Sequence, residues 1–188
     1  MTPTDLVDIA TAKTWLNITD DSQDNVIQQI ITMASLAINN TLNRQISIGS
    51  YNEFYDGTGT NRLCPINFPI TNITALSIDG VSVARSFSQS ARGFQFDGST
   101  IWLTGGMRYT PGCKNVSVIY SAGYSIIPYD IIQATLMTIQ SMVSMRLVDP
   151  NVAAENSGGG YSVTYKDTAG NVPSGAKDLL KNYKRVTW

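Results

Sequence analysis

"VIYSAGYSIIPYDIIQATL", residues 118–136, runs from an alternating β-rich stretch through Ala122-Gly123 into a helical pattern that opens at Pro128. A strand, a glycine and a helix start are also the parts of a phosphate-binding loop, so this junction separates a nucleotide user from a chain that merely turns. A phosphate loop needs several glycine amides aimed at the anion, commonly with a Lys and a Ser or Thr at the helix start. Here one glycine is followed by Tyr124 and "SII", and the helix begins Pro128-Tyr129-Asp130. Proline has no N–H to offer an anion, and Asp130 places a carboxylate where phosphate would sit. The junction of Ala122, Gly123, Tyr124, Pro128 and Asp130 is therefore read as structural: it caps a helix. The "GTG" of 57–59 and the "GGG" of 158–160 fail as well, because neither lies in a strand-to-helix unit.

Helical spacing extends from the junction to about Leu147, with Ile131, Ile132, Leu136, Ile139, Val143 and Leu147 as the apolar stripe. A second long pattern, about 22–44, carries Val26, Ile30, Ala34, Ala37, Ile38, Thr41 and Leu42 three and four apart. It predicts a helix ~34 Å long at ~1.5 Å per residue, packed against the 128–147 helix. "DIATAKTWL", 8–16, reads as a short helix capped by Asp8, with Ala12, Trp15 and Leu16 on one face.

Between these helices, from Ile46 to Tyr124, the period changes. Runs such as "YNEFYDG", "ITALSIDGVSV", "FQFDG" and "STIWL" alternate with Gly, Pro and Asp-Gly punctuation. Asp79-Gly80 is a two-residue hairpin candidate, since both residues tolerate positive φ. Asp56-Gly57 and Asp97-Gly98 are read in the same way, as turn chemistry. After the junction helix, "VDPNVAAENSGGG" defeats both helix and strand and predicts a mobile loop. "YSVTYKD" is read as a strand or extended arm, and "SGAKDLLKNYKRVTW" as a short terminal helix with an exposed tail.

The expected class is α+β: a small helical bundle on the 22–44 and 128–147 helices, with a β-rich insertion and a flexible C-terminal arm. The expected division is 1–45 and 126–148 as the body, 46–125 as the insertion, and 149–188 as the arm.

Composition narrows the function. The chain has 188 residues, 13 Lys plus Arg against 14 Asp plus Glu, and 14% charged residues against the ~25% usual for soluble domains. A net charge of -1 gives no field that would concentrate nucleic acid or an anionic membrane. A mildly polar, weakly charged surface suits subunit contacts. From Lys177 onward the balance differs: Lys177, Lys181, Lys184 and Arg185 face one acid, Asp178.

No run approaches the ~18 apolar residues of a membrane span, and no secretory leader pattern opens the chain, so an intracellular soluble protein is expected. Cys64 and Cys113 read as free thiols, with a bridge between them left open. The Asn-x-Ser/Thr triplets at Asn17, Asn39, Asn72 and Asn115 read as chance.

Catalytic constellations are scarce. The chain has no histidine, which removes Ser-His-Asp and Cys-His nucleophiles, histidine zinc sites and the commonest general base. Asp20, Asp21 and Asp24 cluster, but they stand before a helix and lack calcium-loop spacing. Tyr51, Phe54, Tyr55 and Trp102 are candidates for a sugar-binding platform, with core or interface as the plainer reading. No catalytic, metal or cofactor site is expected.

One ordered set of motifs adds to this. "AKTWLNI", a long helix, "YDGTGTNRLCPINFPITNITALSIDG", "VSVIYSAGYSIIPYDIIQATL", a glycine-rich loop, "YSVTY" and "LLKNYKR" together resemble the head–tail connector, or adaptor, proteins of tailed bacteriophages. The resemblance spans about 5–185 and is weakest over 81–113. It implies a non-enzymatic virion protein of the neck, assembled in the host cytoplasm. Such a protein forms a homo-oligomeric ring, commonly of twelve subunits, beneath the portal. The ring extends a DNA channel without specific DNA or membrane binding and offers a platform to a stopper or tail-terminator protein. Combined with the SGGG loop and basic tail, the resemblance makes 149–188 a portal-docking arm. Its expected contacts are Tyr161, Val163, Tyr165, Leu179, Leu180, Tyr183, Lys184, Arg185 and Trp188. The alternative is a carbohydrate- or peptide-binding module on the β-rich insertion.

Overall fold

The structure, a computed structural model, describes residues 5–146, 154–157, 161–164 and 172–184. The class is α+β. In chain order the elements are α1 (Ile9–Leu16), α2 (Asp24–Leu42), β1 (Gly49–Gly57), β2 (Arg62–Leu63), β3 (Ile70–Ile78), β4 (Val81–Ser82), β5 (Gly93–Phe96), β6 (Ile101–Thr104), β7 (Gly112–Ala122), α3 (Tyr129–Arg146), β8 (Ala154–Ser157), β9 (Tyr161–Thr164) and α4 (Ser174–Leu180). A 3-10 turn, Lys181–Tyr183, follows α4. The chain divides into two compact units, 1–43 with 127–188, and 44–126.

In the helical unit, α1 starts where expected: the Asp8 carboxylate accepts from Thr11 N at 2.8 Å, and Asn17, left-handed at φ 56°, closes the helix. α2 packs against α1 and α3, and α3 also takes α4. The core joins Val7, Ala12, Ile27, Ile30, Ile31 and Ala34 to Leu136 and Ile139. The buried stripe of α2 is rotated from the expected one: Ile27 and Ile31 are inside, while Ala37 and Thr41 are only half-buried. Period alone fits two neighbouring stripes in a helix this rich in Ile and Ala, and the packing partner selects between them. α2 also ends earlier than expected, because Asn43 takes φ 54° and donates back to Asn39 O and Asn40 O. Trp15, expected inside, is 45% exposed, its Nε1 donating to Gln140 Oε1 at 3.1 Å.

Buried polar groups in this unit are satisfied, as they must be away from water. The Asp5 carboxylate accepts from Gln28 Nε2 at 2.8 Å and Thr32 Oγ1 at 3.0 Å. Thr135 and Thr138 return their hydroxyls to the carbonyls of Ile131 and Ala134, both at 2.8 Å.

The strand-rich unit holds a four-stranded antiparallel sheet in the order β1-β7-β3-β4 and a three-stranded one, β2-β6-β5. Both contribute to one core, with Leu76, Val116, Val118 and Tyr120 from the first and Phe94, Ile101 and Leu103 from the second. Asp79 (φ 52°) and Gly80 (φ 78°) make the expected two-residue hairpin between β3 and β4. Asp97 makes the expected turn, its Oδ1 accepting from Ser99 N at 2.7 Å and Thr100 N at 2.8 Å. Asp56-Gly57 is not a hairpin turn: it ends β1, at an irregularity in the pairing with β7.

Beyond α3, the stretch expected as unstructured contains a strand, β8, paired antiparallel to β9. The rest of the expected 148–160 loop, together with Leu147, lies outside the described residues.

Candidate functional site

The strand-to-helix junction is taken up by the backbone. Gly123 has φ 110°, and a Cβ there would stand 2.5 Å from Ser47 O and 2.8 Å from Ile48 Cα. Only glycine allows that approach. Its N–H donates to Pro69 O at 2.9 Å, Tyr124 N donates to Ile46 O at 2.8 Å, and Ile48 N donates to Tyr124 O at 3.2 Å. Ala122 is buried at the end of β7, in register with both Gly49 and Ile70. These amides are engaged by carbonyls and are not aimed at an anion. In the helical unit, Pro128 immediately precedes α3, its carbonyl accepting from Ile131 N at 3.0 Å and Ile132 N at 3.1 Å. Asp130, in the first turn, accepts from Tyr183 Oη at 3.2 Å.

A polar cluster that the sequence did not announce lies beside the sheet core. Glu53 Oε2 accepts from Tyr120 Oη at 2.7 Å and from Tyr55 Oη, and Oε1 accepts from Asn67 Nδ2 at 3.3 Å. The two phenol oxygens in turn accept backbone amides, Tyr120 from Asn67 N at 3.2 Å and Tyr55 from Ile66 N at 3.0 Å. Burial, reinforced by the bond to Glu53, pushes the Tyr120 hydroxyl up to about 12 and raises that of Tyr55. Both phenols stay protonated and donating at neutral pH. The cluster pins the segment between β2 and β3 to β1 and β7. Its one legible signal was the alternation Tyr51, Glu53, Tyr55, which puts a carboxylate on the inward-facing side of a strand.

Nearby, the Arg44 guanidinium lies over the Phe68 ring, 3.6 Å from its centroid, and donates to Phe68 O. Nothing in sequence spacing marks that pair.

The other sequence candidates are dispersed or occupied. Lys13 Nζ bridges Asp21 at 2.5 Å and Asp24 at 2.8 Å, which raises the Lys13 pKa. Asp20 caps its own turn through Ser22 Oγ at 2.6 Å and Ser22 N at 3.0 Å, which lowers its pKa. Among the described residues no group of three His, Cys, Asp or Glu is arranged to hold a metal. The four aromatics do not share a platform. Tyr51 and Tyr55 pack on the core, Phe54 faces the opposite side of β1 at 59% exposure, and Trp102 belongs to the other sheet. Cys64 and Cys113 are free and exposed. No helix among the described residues is long and apolar enough to cross a membrane.

In the C-terminal set, Tyr161 and Val163 fall in β9, while Tyr165, Arg185 and Trp188 lie outside the described residues. Leu179 and Tyr183 are half-buried and Lys184 is exposed. Leu180, expected as a docking contact, is 2% exposed, and Ala176 is fully buried, in the helix that packs on α3. Apolar side chains that do face outward include Met33 and Leu36 on α2 and Tyr129 at the start of α3.

A two-helix seam capped by α1 and α4, with a strand-rich unit inserted between α2 and α3, defines an α+β protein. The sequence profile of the head completion proteins matches residues 5–186, and the chain belongs to that family. No curated protein sequence matches it. Among solved structures, a chain in the neck of an empty gene transfer agent particle, computed with C6 symmetry, superposes with TM-score 0.64 at 16% identity, covering 100% of this chain and 94% of that one. A chain from the virion of a native gene transfer agent particle gives 0.63 at 14% identity, with 100% and 94% covered. A third, from the native neck computed with C12 symmetry, gives 0.59 at 14% identity, with 100% and 97% covered. These likenesses establish a shared fold along the whole chain.

Proposed function

We propose that this chain is a structural, non-enzymatic virion protein of the head–tail interface. It forms a ring of twelve beneath the portal, extends the DNA channel, and gives the next neck or tail protein a surface to dock on. The observation that carries this reading is membership of the head completion family over 5–186, joined to a fold shared end to end with neck chains of symmetric particles. The weak net charge supports a channel through which DNA slides without sticking.

The division of labour follows the chain. The helices within 1–45 and 126–148 form a bundle-like ring body, and 46–125 meets neighbours or the next ring. Residues 149–188 reach the portal through Tyr161, Val163, Tyr165, Leu179, Tyr183, Lys184, Arg185 and Trp188. The burial of Leu180 instead assigns it to holding α4 on α3. Repetition around a ring multiplies contacts that are individually weak.

Native mass spectrometry of the protein alone and with its portal tests this. A closed ring of about a dozen copies in either sample is expected. A strict monomer in assembled particles would overturn the reading, and tight, salt-sensitive DNA binding by the isolated protein would remove the sliding channel.

A further inference from the structure

The three-stranded sheet of the strand-rich unit presents an unexpected row. Register places Arg62 opposite Trp102 and Trp102 opposite Gln95, so the three side chains run across β2, β6 and β5 on one face. The alternate positions, Ile101, Leu103 and Phe94, are buried in the core. The row borders a cavity of about 580 Å³ whose rim includes Gln89, Asn61 and Arg108. The 105–106 turn shapes it: Gly105 (φ 65°) passes so close to 91–92 that a Cβ would meet Arg92 N at 2.6 Å. A second hollow of about 520 Å³ shares Gly106, Met107 and Arg108 and adds Arg92.

No Asp or Glu lines the first cavity. Among the described residues Arg62 and Arg108 have no ion-pair partner; Arg108 Nη1 donates to Gly59 O at 3.3 Å. Two guanidiniums, three side-chain amides and a half-exposed indole around a small hollow fit a compact anionic group, above all carboxylates, which accept from guanidinium and amide alike. The chain's own charge is divided in a way that supplies one. Residues 44–126 hold six basic residues (Arg44, Arg62, Arg85, Arg92, Arg108, Lys114) and four acidic ones (Glu53, Asp56, Asp79, Asp97), while the rest of the chain holds seven basic and ten acidic.

Four described acids of the helical unit are committed: Asp5 is buried and bonded, Asp8 caps α1, Asp130 takes Tyr183, and Asp178 takes Lys181. The turn before α2 differs. Asp21 and Asp24 share one cation, Lys13, while Asp20 accepts from Ser22, and the Asp21 side chain is 88% exposed.

We infer that the Arg62–Trp102–Arg108 cavity receives the Asp20–Asp24 turn of a neighbouring copy of this chain. The inference rests on the ring reading above. The two patches are different surfaces of one protein, so their pairing is heterologous, the type of contact that closes rings. Charge complementarity also fixes register and suppresses wrong pairings. A nucleic acid strand is the poorer occupant, since a polyanion is held by an extended basic track, whereas this half-open hollow carries two guanidiniums in a chain of net charge -1.

The test is a charge exchange read by native mass spectrometry with the portal present. R62E/R108E and D20K/D21K should each lower the ring population at least tenfold, and the quadruple variant carrying both exchanges should regain it. That recovery would also show that the substitutions leave the fold intact. Rings that persist in either double variant, or a quadruple variant that fails to recover while keeping the wild-type melting temperature, overturn the inference and leave the ring reading standing. A wild-type chain that makes no ring even with the portal overturns the ring reading itself. Binding of a fluorescent single-stranded DNA that R62E/R108E abolishes, with rings intact, would reassign the cavity to phosphate.

Discussion

Tyr183 Oη donates to Asp130 Oδ2 at 3.2 Å, joining the last described turn of the chain to the first turn of α3. Asp130 also sits where a helix favours negative charge. Tyr183→Phe should cost about 0.5–1 kcal/mol, the low end for a hydrogen bond, because the pair is exposed. Asp130→Ala should cost more, losing the dipole interaction as well. Faster amide exchange confined to α4 in the Phe variant checks the assignment; an unchanged profile would show that the bond holds nothing.

Gly123 and Gly80 both have positive φ, yet their surroundings differ. A Cβ at 123 would meet backbone within 2.5 Å, whereas one at 80 would meet nothing within 4 Å. Gly80→Ala should therefore cost only the left-handed strain, about 1 kcal/mol. Gly123→Ala should cost about 3 kcal/mol or more, since backbone must move as well. Urea midpoints of the two variants measured side by side decide it.

Alkaline pH should destabilise the strand-rich unit. Tyr120 titrates at about 12 in the fold, and Tyr55 and Tyr109 are also raised, all chiefly by burial. The unfolded chain releases phenol protons near the ordinary value of about 10, while the folded chain retains them. The stabilisation is thus fully present below about pH 10 and is lost as pH climbs through 10 toward 12. Falling urea midpoints across that window, with part of the phenolate absorbance held back until unfolding, are expected; a flat profile to about pH 11.5 would contradict it.

On α2, Ile31 is fully buried while Met33 and Leu36 are about half exposed. Ile31→Ala should cost about 2–5 kcal/mol. Met33→Glu with Leu36→Glu should change monomer stability by about 0.5 kcal/mol or less, while weakening assembly if this face lies against a neighbour. Thermal melts separate the first effect from the second, which sedimentation reads.

The C-terminal segment should be dissected between Tyr183 and Lys184. Removing 174–188 would uncover the sites of Ala176 and Leu180 in the helical core. A chain ending at Tyr183 keeps α4 and should melt as the full chain does while attaching more weakly to the portal; undiminished attachment would remove Lys184, Arg185 and Trp188 from the docking set.

The helices could be read from the chain with fair accuracy because their signals are local: Asp8 three residues before the amide it caps, and apolar residues at 3.6-residue spacing in α2 and α3. The Asp79-Gly80 hairpin was legible for the same reason. So was the lack of a phosphate loop at 122–130, since proline's missing N–H is a property of the residue itself. What slipped was whatever depended on a partner. Ile27 and Ile31, rather than Ala37 and Thr41, face inward because α3 lies on that side, and β8 forms because β9 is close by in the chain to pair with it.

The cavity and the bonds of the Glu53 cluster belong to tertiary structure. Arg62 lies far in sequence from Gln95 and Trp102, and the three meet only through strand register. Glu53 finds Tyr120 across 67 positions. Sequence by itself determined the local conformations, the absence of histidine chemistry and the scarcity of charge, because these are set by residue identity and by neighbours three or four positions away. Which side chains became core, which carboxylate was shared and where a guanidinium row met a hollow were decided only by folding, because each depends on long-range contacts whose partners local patterns do not name.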